Sequence, residues 1–542
     1  MLHLARPLAV ALVAVLSTVL AAGGAQAAPR PQDPTLVVLT PVATGVGPSI
    51  ARSPVSDRRG EDNREQPLLL KPGGTHGKPG GGGGGTSDGA LQTTAPTALG
   101  TTAGPSFDGV GVGLGTYRPC CAPPDTNASV GPSQVVQWVN LDYAVFDKAT
   151  GALTAGPFAG NSFWSGFTAG NCDRNNDGDP IIKFDAQAGR WFATQFSVSG
   201  GAPYFQCIAI SSGADILAST WTRYAYSFGS YFPDYPKLGV WTDAYYLSFN
   251  RFQNGVNFAG AAACAFDRAA MLAGRSTAAA QCFNNGTNVA SLLPADLDGA
   301  TGAANTTAAP PAGAPNVFAE LGTNALTLFK FHVDFGNPAG STFAGASVSV
   351  PAFSTACGGG TCIPQPGTSN QLDSLADRLM YRLAYRNFGG YESLVVTHSV
   401  TGSGTAAPRW YELRSTGTQD FTVYQASTYA PDTTYRWMGS AAMDKLGDLA
   451  IGYSAASATL APSIRYSGRG AGDPLNALRM EQTIQPGGGS QTGTLHRWGD
   501  YSSMALDPVD DCTFWYTTEY LKASGSFNWS THIFAFKFTG CQ

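Results

Sequence analysis

WMGSAAMD (residues 437–444), LAIGY (449–453) and SIRY (463–466) follow one another along the chain, with a turn at Gly447 after the first run. Each run is short, is rich in apolar residues, and is bounded by Gly, Pro, Asn or Asp. This pattern is typical of β-strands rather than of helices. The stretch therefore predicts a unit of strand, tight turn, strand, loop, strand.

The same unit recurs along the chain. Three equivalent starts, Arg378, Trp437 and Trp498, lie about 60 residues apart, which is close to the period of propeller blades. Further units begin near Asp179 and Pro236, and weaker ones cover residues 135–148 and 292–334. The sequence predicts an all-β fold, a β-propeller of six to seven four-stranded blades with seven favoured. A pair of β-sandwiches is the competing architecture.

Composition restricts the class of protein. Of the 542 residues, 43% are hydrophobic and 13% are charged, and the formal net charge is −5. No global basic field attracts a polyanion, so we do not expect nucleic acid as a partner. The Gly-rich, aromatic-rich composition also excludes a helical bundle.

Residues 1–27 have the pattern of a secretory signal peptide. Arg6 is followed by an apolar run from Leu8 to Ala22 and by a small-x-small cleavage site at residues 25–27. No second apolar stretch is long enough to cross a bilayer, so we expect no membrane insertion. The sequence predicts a secreted protein, extracellular or periplasmic, and a monomer.

Two regions follow the signal peptide. Residues 28–105 are dominated by Pro, Gly, Thr and Ala and include the run Gly80 to Gly85. Such a segment buries too little apolar surface to offset its ordering entropy. The sequence therefore predicts a disordered linker over 28–105 and the propeller domain over 106–542.

Export gives the ten cysteines an oxidising environment in which disulfides persist. Eight of them fall into four local couples, namely Cys172 with Cys207, Cys264 with Cys282, Cys357 with Cys362, and Cys512 with Cys541. Spacing alone does not determine connectivity, so these pairs are hypotheses. The adjacent Cys120 and Cys121 are left unassigned.

Several strings resemble a family of secreted bacterial β-propeller proteins whose functions are largely uncharacterised. They include NDGDPIIKFD (176–185), DRLMYRLAYRNF (377–388) and RWGDYSSMALDP (497–508). The resemblance covers nearly all of 106–541 and implies the propeller fold, but no reaction. More distantly, the repeat is similar to sialidase-like propellers, although a clear Asp-box, S-x-D-x-G-x-T-W, is absent.

Polar residues near the inner strands are the candidate site, because the inner strands of all blades converge on one funnel. Asp179, Asp234 and Asp500 are candidate acid–base groups, and Tyr501 is a candidate nucleophile. The candidates for substrate binding are three arginines that suit an anion and three aromatic residues that suit sugar rings: Arg378, Arg436, Arg497, Trp437, Trp498 and Tyr246. The alternative is that the arginines form structural salt bridges and the aromatics pack the core.

One loop has the spacing of a calcium site. Asp173, Asn175 and Asp177 follow the D-x-N-x-D-G pattern in which alternating oxygens converge on a hard cation. The twelfth position of this loop, where an EF-hand has a Glu ligand, is Phe184, so a complete EF-hand is excluded. The alternative is an Asx-rich turn. Calcium is the one cofactor that the sequence indicates.

The expected partner is therefore a polysaccharide or other glycan. The favoured function is a glycoside hydrolase acting on an acidic or decorated glycan in the propeller funnel. The alternative is a non-catalytic, lectin-like or surface-interaction propeller, because folds of this kind host both functions.

Overall fold

The structure, a computed structural model, describes residues 33–56, 63–65, 68–69, 88–297, 309–417 and 419–542. Within these ranges, antiparallel strands form seven blades, which we number in the order of their inner strands. Each inner strand contacts the inner strand of the next blade, and that of blade 7 contacts that of blade 1. The ring is closed, and the prediction of a seven-bladed β-propeller is confirmed.

Blades 1 to 3 place their strands in chain order from the axis outward. Blade 1 consists of Asn127–Val130, Gln134–Val139, Asp142–Asp147 and Leu153–Ala159. Blade 2 consists of Ile181–Asp185, Arg190–Ser197, Tyr204–Ser211 and Trp221–Gly229. Blade 3 consists of Tyr231–Val240, Ala244–Gln253, Asn257–Asp267 and Ala280–Asn284.

Blades 4 to 7 repeat this order, with one exception in blade 7. Blade 4 consists of Leu293–Leu297, Asn316–Gly322, Ala325–His332 and Thr342–Ser349. Blade 5 consists of Met380–Asn387, Glu392–Gly402, Thr405–Ser415 and Thr422–Tyr429. Blade 6 consists of Tyr435–Met443, Leu449–Ala456, Ser463–Arg469 and Gln482–Gln485. Blade 7 takes three strands from the C-terminal region and its outermost strand from the N-terminal region: Ser503–Leu506, Phe514–Leu521, Trp529–Phe538 and Thr101–Asp108.

Helices are short and lie in the connections. The α-helix is Arg268–Leu272, and the 3-10 helices are Ile50–Arg52, Gly160–Trp164, Ala169–Asn171, Pro338–Gly340 and Ala356–Gly359. Two small two-stranded sheets pair Arg64–Glu65 with Cys121–Ala122 and Thr361–Ile363 with Leu372–Asp373.

The prediction of one disordered linker over residues 28–105 is wrong for several described stretches. Ala43–Gly47, Thr35–Leu39 and Leu91–Gln92 add a fifth strand to blades 2, 3 and 5 respectively. Thr101–Asp108, most of it inside the predicted linker, is the outermost strand of blade 7. These polar segments are ordered by hydrogen bonding to preformed blade edges, which composition does not reveal. The predicted signal peptide lies outside the described residues.

Neighbouring blades bury the faces between them. All five residues of Ile181–Asp185 are buried. A strand buried on both faces is apolar along most of its length, whereas a strand with one solvent-exposed face alternates apolar and polar residues. Small polar side chains tie the inner strands together. Asn127 Oδ1 accepts a hydrogen bond from the Ile182 N–H at 2.9 Å, and Ser440 Oγ accepts one from the Met504 N–H at 3.0 Å.

The four local cysteine couples are disulfides in the structure: Cys172–Cys207, Cys264–Cys282, Cys357–Cys362 and Cys512–Cys541. Cys120 and Cys121 are buried and lie outside these four bridges. Four disulfides are compatible with the predicted extracellular location. Among the residues that the structure describes, no helix has the length and apolar character needed to span a bilayer.

Candidate functional site

Five inner strands begin with an uncommon backbone conformation. Residues with φ between 43° and 55° occur at equivalent places near their starts: Asp125, Asp179, Tyr235, Ser291 and Met438. L-residues other than Gly rarely adopt this left-handed region, and such residues cluster at functional sites. Three of the five, Asp125, Asp179 and Tyr235, belong to the cluster described next.

Three tyrosines from alternate blades meet at one end of the ring. The ring centroid of Tyr501 (blade 7) lies 6.1 Å from that of Tyr235 (blade 3) and 6.3 Å from that of Tyr381 (blade 5). Residues of blades 3, 5 and 7 come into contact only at the central axis. These tyrosines and the charged residues around them form what we call the axial cluster: Asp125, Asp179, Asp234, Tyr235, Lys237, Arg378, Tyr381, Arg497, Asp500, Tyr501 and Glu519.

Lys237 is the central cation of the axial cluster. Its Nζ lies 3.4 Å from the ring centroid of Tyr235 and 4.0 Å from that of Tyr501, a cation–π arrangement. It donates a hydrogen bond to the carbonyl oxygen of Pro236 at 2.8 Å. The side chain is 1% exposed, and burial lowers the pKa of Lys237 to about 8, against the opposing charges of Asp179 and Asp500.

The carboxyl groups of the axial cluster differ in exposure. Asp179 and Asp234, from adjacent blades, are partly exposed, whereas Asp125, Asp500 and Glu519 are buried. Burial raises the pKa of Asp179 to about 6. Burial, together with repulsion from Asp179 and Asp500, raises the pKa of Asp234 well above its usual range. The two partly exposed carboxyls, Asp179 and Asp234, therefore have different pKa values.

Hydrogen bonds lock the buried acids into the ring. The Asp500 N–H donates to Asp125 Oδ1 at 2.8 Å, and the Tyr235 hydroxyl donates to the Asp500 carbonyl at 3.2 Å. Burial and the charges of Asp500 and Asp179 raise the pKa of Asp125 well above its usual range. Blades 1, 3 and 7 are thus joined at the site.

Two of the three predicted arginines reach the axial cluster, and both are already paired. Arg378 Nε lies 2.8 Å from Asp377 Oδ1, and its guanidinium lies 4.6 Å from the Tyr235 ring centroid. Arg497 forms an ion pair with Asp500. Their positive charges are neutralised by carboxylates of the chain, so neither is an open anion site.

Two groups of the axial cluster are buried without a hydrogen-bond partner. They are the hydroxyl of Tyr501 and both carboxyl oxygens of Glu519, in residues that are 1% and 2% exposed. Burial raises the pKa of Glu519 well above its usual range. Unsatisfied buried polar groups are costly and are often found where a ligand or water completes a site.

The axis is filled further along the inner strands. Asp296 of blade 4 pairs with Lys183 of blade 2 and accepts a hydrogen bond from Arg382 Nε of blade 5 at 2.6 Å. Burial opposes the charge of Asp296, but the two cations lower its pKa overall. Arg382 also donates to the Met504 carbonyl of blade 7 at 2.8 Å. This network closes the ring below the axial cluster.

Arg436 does not join the other two arginines, which corrects the predicted triad. Its Nε lies 2.8 Å from Glu481 Oε2, and it also pairs with Asp432. Arg436 lies within the strand Tyr435–Met443, whereas Arg378 precedes its strand. The side chain therefore points toward the outer part of blade 6.

The three aromatic residues predicted to bind sugar are core residues. Trp437 and Trp498 are 0% and 1% exposed and pack with ring centroids 5.9 Å apart. Tyr246 is fully buried between Phe318 and Phe331, and its hydroxyl donates to Asp243. Packing between blades, not ligand contact, accounts for all three.

The predicted calcium loop is hydrogen-bonded to the end of the strand Arg190–Ser197 and to the two residues that follow it. Asp177 Oδ2 accepts hydrogen bonds from the Val198 and Ser199 N–H groups at 2.6 and 2.8 Å, and Asn175 Nδ2 donates to Ser197 Oγ at 2.8 Å. Across the described ranges, no group of three or more His, Cys, Asp or Glu side chains is placed to hold a metal ion. The calcium site at Asp173, Asn175 and Asp177 stays a prediction.

The sequence singled out Asp179, Asp234, Asp500 and Tyr501, which interact electrostatically in the structure, but it missed other members of the axial cluster. Asp125 holds the same position before blade 1 as Asp179 holds before blade 2, and alignment of the two blade starts could have found it. Glu519 lies in the second strand of blade 7, where no sequence signal distinguishes it from a core position.

A cavity of about 470 Å³ lies between blades 1 and 7 and is lined by Pro132, Lys148, Asp507, Trp515 and Phe536, among others. Pro132 and Asp507 follow the ends of their inner strands, whereas the axial cluster lies at the strand starts. This cavity is therefore at the opposite end of the propeller and contains none of the predicted site residues.

No protein-family model matches this sequence, and no curated protein matches it. Similar solved structures include an ulvan lyase, described as a new family of polysaccharide lyase, bound to -[GlcA(1-4)Rha3S]-. That chain is 12% identical, with 83% of this chain and 85% of that chain covered and a TM-score of 0.26. A second structure of the lyase gives 12% identity, coverage of 82% and 84%, and a TM-score of 0.26. Plexin A of Drosophila in complex with Semaphorin 1b gives 5% identity, coverage of 82% and 88%, and a TM-score of 0.31.

TM-scores this low carry no information about the activity of this chain. The absence of a matching family also leaves the likeness to sialidases without support. The propeller is established by the strand pairing itself.

Proposed function

We propose that this protein is carbohydrate-active and that it hydrolyses an acidic or decorated glycan at the axial cluster. The observation that carries this proposal is the electrostatic repulsion between two partly exposed carboxyls, Asp179 and Asp234, which come from adjacent blades. Glycosidases use two carboxyls in different protonation states, one on either side of the bond that is cut.

The environments of the two carboxyls favour distinct roles. Burial and the charge of Asp179 raise the pKa of Asp234, which favours its protonated form, so we assign Asp234 as the general acid. Asp179, with a pKa of about 6, is ionised at neutral pH and is the base or nucleophile. Asp500 is ion-paired with Arg497, so Asp179 is the carboxylate that would stabilise an oxocarbenium-like transition state.

Tyr501 has a smaller part in this proposal than the sequence predicted. Burial and the surrounding carboxylates raise the pKa of Tyr501 well above its usual range, which disfavours the phenolate that a tyrosine nucleophile needs. Its hydroxyl remains suited to donating a hydrogen bond.

One observation favours the second candidate, a non-catalytic lectin-like propeller. Arg378 and Arg497 are 2% and 7% exposed, and both are paired within the chain. An axial end that is largely closed by internal ion pairs suits a binding or structural role more than an open catalytic funnel.

Product release distinguishes the two candidates. The purified full chain is incubated with a panel of acidic and neutral polysaccharides, and new reducing ends and unsaturated uronates are measured separately. Asp179→Asn and Asp234→Asn should abolish the release of reducing ends. Asp420→Asn, whose carboxyl is exposed at the surface and paired with Lys330, should leave it unchanged.

Three results would contradict the hydrolase. Retention on an acidic glycan without release would support the lectin-like candidate. Release of unsaturated uronates without hydrolysis would show an eliminating enzyme, and neither release nor retention on any glycan would refute a carbohydrate-active site.

A further inference from the structure

The axial cluster contains a cation that forms no ion pair with any carboxylate in the described part of the chain. Arg378 and Arg497 are each paired with an aspartate, and Arg436 lies in blade 6. Lys237, by contrast, has no ion pair among the described residues, although it is 1% exposed. Burying an unpaired charge is expensive, so a counter-anion at this position is strongly favoured.

The ammonium of Lys237 has N–H donors that are not used in hydrogen bonds. A protonated lysine carries three N–H donors, and one of them is used on the Pro236 carbonyl. The aromatic rings of Tyr235 and Tyr501 hold the ammonium in place but do not replace hydrogen-bond acceptors. The group is thus positioned in advance to donate to an oxyanion.

Tyr501 supplies a second donor at the same place. Its ring centroid is 4.0 Å from Lys237 Nζ, so its hydroxyl lies close to the ammonium. That hydroxyl is buried and has no hydrogen-bond partner. Two unused donors, one from blade 3 and one from blade 7, therefore lie near each other on the axis.

The acids around Lys237 do not prevent an anion from binding. Burial and repulsion between carboxylates raise the pKa values of Asp125 and Asp234 above their usual range, and Asp500 is paired with Arg497. Asp179 is therefore the carboxylate that acts most directly on the charge of Lys237. The acidic neighbourhood thus carries less negative charge than its number of carboxyls implies.

We propose that Lys237 and Tyr501 form a subsite for an oxyanion substituent of the glycan, a uronate carboxylate or a sulfate ester. This inference rests on the proposed glycan-binding role of the axial cluster and names the class of sugar that it takes. It moves anion recognition from the predicted arginine triad to a lysine and a tyrosine.

Calorimetric titration of the full chain tests the subsite with three small probes: methyl glucuronide, glucose 6-sulfate and neutral methyl glucoside. At least one charged probe should bind about ten-fold more tightly than the neutral one, as expected for a charge-assisted hydrogen bond. Lys237→Met should remove this preference. Tyr501→Phe should reduce it without lowering the unfolding temperature, because the lost hydroxyl has no partner in the protein.

Two control variants match these changes. Lys522→Met removes a surface lysine that is paired with Asp108, and Tyr246→Phe removes a buried hydroxyl away from the axis. Both should keep the preference for the charged probe.

Equal affinity for charged and neutral probes would overturn the subsite, and so would a charge preference that Lys237→Met and Tyr501→Phe both retain. Because binding is measured and not cleavage, charge-selective binding by a chain that cleaves no glycan would refute only the hydrolase. Cleavage of neutral and acidic glycans alike, without charge preference in binding, would refute only the subsite.

Discussion

Replacing Tyr501 with Phe should stabilise the protein, although most changes to a buried residue destabilise. The Tyr501 hydroxyl is buried without a hydrogen-bond partner, and an unsatisfied buried donor costs about 1 to 3 kcal/mol. Removing the oxygen leaves the packing of the ring against Tyr235 and Tyr381 intact. We take the low end, a gain of about 1 kcal/mol, because the removed oxygen leaves a small void.

The expected shift in unfolding temperature is small but has a definite sign. For a domain of about 440 residues, the entropy of unfolding is about 0.9 kcal/mol per kelvin. A gain of about 1 kcal/mol therefore raises Tm by about 1 °C. Tyr246→Phe, which removes a hydroxyl bonded to Asp243, should lower Tm by a similar amount.

Differential scanning calorimetry of the wild type and both variants, run side by side without ligand, measures these shifts. A Tm for Tyr501→Phe that falls as far as that of Tyr246→Phe would refute the reasoning. It would show that the Tyr501 hydroxyl has a partner in the free protein and is not available to a ligand.

Four other outcomes are expected. Hydrolytic kcat should rise with pH through about 6 as Asp179 loses its proton, and a flat profile between pH 5 and 7 would contradict its role as base. Because folding raises the pKa of Asp179 from 3.8 to about 6, the contribution of Asp179 to the free energy of unfolding should be lost as pH rises through about 6. Chemical denaturation of the wild type and of Asp179→Asn at pH 4 and pH 7 measures this loss. The same pH dependence of stability in both proteins would contradict the expectation. Arg436→Met removes one of the two arginines that pair with Glu481; it should lower the denaturation midpoint yet leave glycan affinity unchanged, so a selective loss of affinity would return Arg436 to the site. A chain that begins at residue 109 lacks the strand Thr101–Asp108 and should unfold at lower temperature, whereas an unchanged Tm would show that this strand does not close the ring.

The blade repeat was readable from sequence because blade packing imposes it. Inner strands buried on both faces require short apolar runs, and the turns between them require Gly, Asn or Asp, so the pattern of residues 437–466 predicts a blade without any template. The same logic places Asp179, Asp234 and Asp500 near the axis, since residues at the starts of inner strands converge there.

Register is where sequence reasoning failed. Arg378 and Arg436 occupy similar places in the repeat, but Arg436 lies inside its strand, and a shift of one residue turns a strand side chain to the opposite face. The pairing register of the strand Tyr435–Met443 also shifts between Trp437 and Ser440, and no residue pattern predicts this shift.

The outermost strand of blade 7, Thr101–Asp108, could not be predicted for a different reason. TTAGPSFD (residues 101–108) has little apolar character and contains Gly and Pro, so taken alone it indicates a linker. Its order comes from pairing with Trp529–Phe538, more than 400 residues away in sequence. This pairing requires that the other strands of blade 7 have folded, so the secondary-structure propensity of residues 101–108 does not predict it.

A crystal structure of Asp234→Asn with a bound acidic oligosaccharide is the most direct test of the central claim that the axial cluster is a glycan site. The account predicts a sugar at the axial end, with its carboxylate or sulfate at Lys237 Nζ and the Tyr501 hydroxyl and its glycosidic oxygen beside residue 234. An oligosaccharide bound instead in the cavity between blades 1 and 7, near Trp515, would contradict the account.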